Sequence, residues 1–145
     1  MGKLKNLLAG LAGAIALNVL HEGLRKKSNE VPRVDLLGEE ALQKTLGYFG
    51  TQIEDEQTLY TATLAGDIVS NALYYSLIAA GDKKYLWPKA VFFGLSAGIG
   101  AIKLPKPMGL NPEPVAETSK KQVLTVGYYL FGAIVTALVV KSFKK

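Results

Sequence analysis

Apolar and polar positions in this chain are sorted into long blocks rather than mixed. Residues 4–24, 59–80, 86–104 and 123–140 are runs of Leu, Ile, Val, Ala, Gly and aromatic side chains with charge nearly absent inside them. Each is close to the twenty or so residues that a helix needs to cross a hydrocarbon core about 30 Å thick. The pattern predicts an all-α, integral membrane four-helix bundle formed as a single transmembrane domain over residues 1–145. The third block is the shortest and stops against Pro105 and Pro107, which disfavour helix in the residues just before them.

The connections add to this picture. Residues 81–85 join the second and third blocks so tightly that the two must form an antiparallel hairpin. The other two connections, residues 25–58 and 105–121, are long and hydrophilic. Four spans then place the N-terminus, the tight hairpin and the C-terminus on one side and both long connections on the other. Within the first connection, Val34, Leu37, Leu42, Leu46 and Phe49 recur at helical spacing opposite Glu39, Glu40, Gln43 and Lys44. That spacing predicts an amphipathic helix over about 34–49, with Pro32 just ahead of it, lying on the membrane surface or capping the open end of the bundle. The second connection is punctuated by proline from Pro105 to Pro114 and reads as an extended, ordered strap.

Composition narrows the chemistry. The chain has 145 residues, of which 49% are hydrophobic and 20% charged, and it has one histidine and no cysteine. Disulfides, thiolate metal sites, iron-sulfur clusters and a cysteine nucleophile are therefore excluded, and one chain cannot build a centre from several imidazoles. The net charge of +5 is dispersed along the sequence. The lysines that flank the blocks read as anchors to anionic lipid headgroups, so the expected partner is the bilayer and not nucleic acid. Lys3 and Lys5 before an apolar run resemble the start of a secretory signal, but Asn18, His21 and Glu22 stand where a small-residue cleavage site would be, so an uncleaved first helix is expected. Lys and Arg divide almost evenly between the two ends and leave orientation open, while the acidic residues gather toward the long connections. That asymmetry points the termini to the cytoplasm, and size and simplicity suggest a bacterial inner membrane.

Two polar stripes interrupt the apolar blocks. Asn18, His21, Glu22 and Arg25 share one helical face at the end of the first span, and Asp67, Ser70, Asn71 and Tyr74 share one on the second. Asp67 falls about nine residues into its span, roughly 13 Å deep. An ionisable group there costs at least about 2.5 kcal/mol on insertion scales unless it faces protein or water. Both stripes approach the long-connection side, where Lys103 ends the third span. The sequence thus predicts a polar pocket lined by Asn18, His21, Glu22, Arg25, Asp67, Asn71 and Lys103, with the amphipathic segment as a lid. Elsewhere, Tyr74, Tyr75, Tyr85 and Trp87 read as an interfacial aromatic belt. Gly94, Gly98 and Gly100 read as a helix-packing surface, within the bundle or between copies.

No phosphate-binding glycine loop, zinc spacing or nucleophile elbow is present, no metal site or cofactor is expected, and no family resemblance is claimed. Three function classes fit these residues. The first is a channel or transporter in which Asp67 and the stripe around His21 bind an ion, proton or polar solute, with a homo-oligomer supplying the lumen that four helices lack. The second is an accessory or scaffold subunit of a larger membrane complex, assembled through the glycine surface. The third is a membrane enzyme acting on a lipid-linked substrate, with His21, Glu22 and Asp67 as acid-base or metal-binding groups.

Overall fold

A computed structural model describes residues 2–27 and 30–143, and among these the chain is helical with no strand. The helices are α1 Lys3–Arg25, α2 Val34–Gly47, α3 Glu56–Ala79, α4 Leu86–Lys103, the short α5 Glu113–Ala116 and α6 Ser119–Ser142. Three segments are long and apolar enough to cross a membrane: Lys3–Arg25, Lys83–Lys103 and Ser119–Ser142. The fourth expected span, α3, matches them in length, but Thr61, Thr63, Asp67, Ser70 and Asn71 dilute its apolar character and it is not one of the three.

Polar caps decide where α3 and α6 begin. Asp55 accepts hydrogen bonds from the Thr58 amide at 2.8 Å and the Thr58 hydroxyl at 2.7 Å. Thr118 does the same for the Lys121 amide at 3.1 Å. Each cap satisfies a backbone donor that the first turn leaves open, so both helices start a few residues ahead of their apolar runs. The α3–α4 hairpin turns at Gly81, whose φ of +82° belongs to the left-handed region, and Asp82 then caps a single 3-10 turn, Lys83–Tyr85.

The long helices pack through small residues. α1 lies against both α3 and α6, and α4 lies mainly against α6. On α1, Gly10 backs onto the α3 backbone at Ala72 and Ser76, and Gly13 meets Gly132 and Thr136 of α6. On α4, a Cβ at Gly94 would stand 2.9 Å from Leu130 Cα, and one at Gly98 would stand 2.6 Å from Val126 Cα. These contacts let the helix backbones approach closely enough for dispersion to act between them. Gly100 lies two positions beyond Gly98 and so points to the opposite face; nothing but the tip of Leu104 comes within 4 Å of a Cβ built there. The glycine surface expected from sequence is therefore an α4–α6 contact inside the chain, with Gly100 outside it.

Tyr74 and Tyr75 are not belt residues. Tyr75 is fully buried and donates to the Tyr129 carbonyl at 2.7 Å, and Tyr74 donates to the Phe93 carbonyl at 2.7 Å. The Tyr75 ring is packed in the core and the half-buried Tyr74 ring lies against Phe93, while both hydroxyls find backbone acceptors. Tyr85 and Trp87 stay exposed at the hairpin. Every long helix carries an exposed apolar stripe, including Leu4, Leu8, Ile15 and Val19 on α1, Val91, Leu95 and Ile99 on α4, and Val123, Ile134 and Leu138 on α6. α3 has one too: Val69, Leu73 and Leu77, spaced by four, are 59%, 57% and 50% exposed.

The two long connections are fastened together at one end of the bundle. Lys44 of α2 donates to the Met108 carbonyl at 2.8 Å, Glu40 accepts from the Asn111 amide at 2.7 Å, and the Arg33 amide donates to the Pro114 carbonyl at 2.7 Å. The Gln43 side chain pairs with both backbone groups of Ile53, at 2.7 and 3.0 Å, and so pins the loop that leads into α3. The proline-rich segment is not extended as expected. It coils into turns, with Leu110 donating to the Pro105 carbonyl at 2.7 Å and Gly109 at φ +80°, before α5 docks on α6 through a buried bond from Thr125 to the Val115 carbonyl.

Candidate functional site

The start of α2 is driven into the bundle between the end of α1 and the beginning of α3, with Val31, Pro32, Val34 and Asp35 all buried. Asp35 is the hub of the polar contacts at this end. Arg33 grips it with two hydrogen bonds, Nε to Oδ1 at 2.9 Å and Nη2 to Oδ2 at 2.7 Å. Arg25 of α1 adds a second guanidinium at 3.5 Å, and His21 Nε2 lies 3.3 Å from Oδ1 without the alignment of a full hydrogen bond. Burial works to raise the Asp35 carboxyl, but the Arg33 hydrogen bonds and then His21 outweigh it and hold the group well below the usual carboxylate range. Its neighbour one turn on, Glu39, is pushed up by burial and then by the charge of Asp35.

A second carboxylate closes the ring. Glu22 accepts from Arg25 Nε at 3.1 Å and from the Tyr60 hydroxyl of α3, and Arg25 stacks over the Tyr60 ring at 5.4 Å. Tyr60, Glu22, Arg25, Asp35 and Arg33 thus cross-link α1, α2 and α3 at the end nearest the long connections. His21 lies beneath this ring, 3% exposed, with its other nitrogen 3.9 Å from Glu22 and its edge against Tyr128 at 5.8 Å between centroids.

Below the ring is a small enclosed cavity of about 10 Å³, room for one water molecule. Asn18, His21, Glu22, Asp35, Tyr60, Thr63, Asp67 and Asn71 contribute to its wall. Thr63 is 4% exposed and its hydroxyl has no hydrogen-bond partner among the described residues. Asn18 donates to the Ala14 carbonyl at 2.9 Å, which leaves its carbonyl oxygen unused.

Asp67 differs from the other two carboxylates. It is half-buried, and among the described residues it takes part in no hydrogen bond or ion pair; the charges that act on it are those of His21 and Asp35. Because α3 starts at Glu56, Asp67 is at mid-helix, about 17 Å from the helix start rather than 13 Å. It lies on the partition between the small polar cavity and a larger open groove of about 430 Å³, and contributes to the wall of both. The groove runs between α3 and α4, is backed by Tyr129 of α6 and is roofed by α2 and the first turns of the proline-rich segment. Gly38 of α2 passes directly over Asp67, where an added Cβ would stand 3.3 Å from both carboxylate oxygens.

Of the residues expected in the pocket, Asn18, His21, Glu22, Asp67 and Asn71 share one wall, and Arg25 sits above it in the ionic ring. Lys103 is elsewhere: it is exposed and borders a separate groove with Ile99, Gln122 and Val126, because the last turn of α4 turns its face toward α6. Ser70, assigned to the α3 stripe, is exposed. Sequence reasoning missed Arg33, Asp35, Tyr60 and Thr63. Asp35 did carry a signal, as a carboxylate between Val34 and Leu36 on the apolar side of an amphipathic helix, where an acid is buried only if it is paired. Both His21 nitrogens face carboxylates, the cavity has no room for a substrate, and no three described His, Asp or Glu side chains converge as metal ligands. No protein-family profile, curated protein or solved structure matches this chain.

Proposed function

We propose that the chain is a four-span membrane protein of channel or transporter type in which Asp67 is the solute-binding group and α2 is its cover. The observation that carries this reading is the contrast among three neighbouring carboxylates. Glu22 and Asp35 are each neutralised by arginine, whereas Asp67, at mid-helix, has no partner among the described residues. A bare carboxylate at that depth is retained at a cost, and binding of a cation, proton or polar solute is what offsets such a cost in membrane proteins.

The exposed stripe Val69, Leu73 and Leu77 supports α3 as the fourth span, since these apolar residues then meet lipid while Thr63, Asp67 and Asn71 face the polar cavity. The same reading sets both termini on one face, taken as cytoplasmic, in a bacterial inner membrane. The polar cavity beside Asp67 has room for about one water molecule, so passage requires α2 to lift or a second copy of the chain to complete a path. The scaffold alternative draws less support, because the glycine face it would use is occupied by α6 of the same chain.

The test is flux in liposomes containing the purified chain, read with a pH-sensitive dye and with radiolabelled monovalent cations. Flux above that of protein-free vesicles, abolished by Asp67→Asn while thermal unfolding is unchanged, is the expected result. Equal flux with and without protein, or an Asp67→Asn variant as active as the parent, would overturn the reading.

A further inference from the structure

The groove beside Asp67 has the makings of a ligand site in its own right. Its volume of about 430 Å³ lies within the range of small-molecule pockets. Its wall is mostly apolar, with Leu37, Ala97, Leu104 and Met108 along its length. Gly100 keeps it open, since its missing side chain leaves space on the α4 wall, while Gly38 lets α2 pack closely over Thr63 and Asp67 at the groove's edge. The groove has one formal charge, the Asp67 carboxylate, and no described Lys, Arg or His side chain contributes to its wall. Tyr129 lines the same space and lies within electrostatic range of that carboxylate.

We propose that this groove binds a hydrophobic amine, with the ammonium group against Asp67 and the apolar body along Leu37, Ala97, Leu104 and Met108. A simple lipid acyl chain would fill the apolar wall but leave the carboxylate uncompensated. A carboxylate or phosphate head would be repelled by Asp67. A cationic head satisfies both ends at once, because a charge-assisted contact in a partly desolvated groove adds to the burial of the tail. The groove is walled by α3 and α4, and none of the ring residues Glu22, Arg25, Arg33, Asp35 and Tyr60 lines it, so a ligand seated there lies outside the ionic ring.

The inference rests on the reading of Asp67 as the solute-binding group and names the class of solute. It is tested with octylamine, octanol and octanoate, three probes with one tail and different heads, titrated into the full chain in micelles and followed by NMR chemical shifts of Asp67 and Gly100. Octylamine is expected to bind about tenfold more tightly than octanol. That advantage should vanish in Asp67→Asn, and Gly100→Leu, which fills the groove, should abolish binding of all three. Equal affinity for octanol and octylamine, or preference for octanoate, overturns the proposal. Amine binding without flux in liposomes would leave this site standing and defeat the transport reading. Proton or cation flux in a chain that does not bind octylamine would do the reverse.

Discussion

Removing one partner from a buried ion pair exposes what the others were doing. Asp35 is 7% exposed and is held by Arg33, Arg25 and His21, so Asp35→Asn leaves two guanidiniums facing each other near a buried imidazole. We expect it to lower stability in micelles by about 1–3 kcal/mol, measured by thermal or denaturant unfolding, because the half-exposed Arg33 loses its charged partner and a buried amide is left imperfectly paired, while Arg25 keeps Glu22. Asp67→Asn should leave stability nearly unchanged, since no hydrogen bond or ion pair is lost with the charge. Linkage gives the pH dependence. A carboxyl whose native proton affinity is lowered stabilises the fold fully above the ordinary Asp value of about 4 and progressively less as pH falls below it. Hydrogen exchange of the α2 amides, corrected for intrinsic rates, should therefore hold steady from about pH 7 to 5 and quicken below about 4. Steady protection down to about pH 2 would mean that Asp35 does not hold α2 in place.

Elements in this molecule meet backbone to backbone, and the cost of adding atoms depends on which face receives them. Gly98→Val pushes a side chain into Val126 and should destabilise the α4–α6 contact by about 1–3 kcal/mol. Gly100→Ala enters open space and should be neutral, or stabilise by up to about 1 kcal/mol through helix propensity. Unfolding of the two variants side by side in micelles reads the difference. The cover helix is held at both ends, by the ionic ring at Asp35 and by Lys44 and Glu40 on the proline-rich turns. Cutting only the second attachment, with Lys44→Ala and Glu40→Ala together, should speed proteolysis within residues 48–55 and leave the protection of α1 and α6 intact.

Each of the four longest helices presents exposed apolar residues, and three of them are long and apolar enough to cross a membrane. If α3 crosses the membrane as we propose, residues 51 and 111 lie on one face and residues 82 and 142 on the other. The chain has no cysteine of its own, so single-cysteine labelling is clean. Thr51→Cys and Asn111→Cys should react with an impermeant maleimide from one side of sealed vesicles, and Asp82→Cys and Ser142→Cys from the opposite side. A three-span chain, with α3 left outside the bilayer, would put residues 51 and 82 on the same face.

The sequence by itself determined the helical class, the tight hairpin, the amphipathic helix in the first connection and the extent of the apolar blocks, because helical periodicity and block length are local properties of the chain. It also brought out His21, Glu22 and Asp67, since charge inside an apolar run is visible without knowing the fold. The Glu22–Arg25 pair is local, three residues apart on α1, but the pairing of Asp35 with α1 and the absence of a described partner for Asp67 were decided only by tertiary structure. Asp35 reaches His21 and Arg25 because α2 is drawn toward the end of α1, and Tyr60 reaches Glu22 because α3 begins beyond the end of α1. Pairing across long connections depends on where helix ends meet in space, and spacing along one helix carries no record of it. The same reason separates Gly98, locked against Val126, from Gly100, which opens the groove beside Asp67.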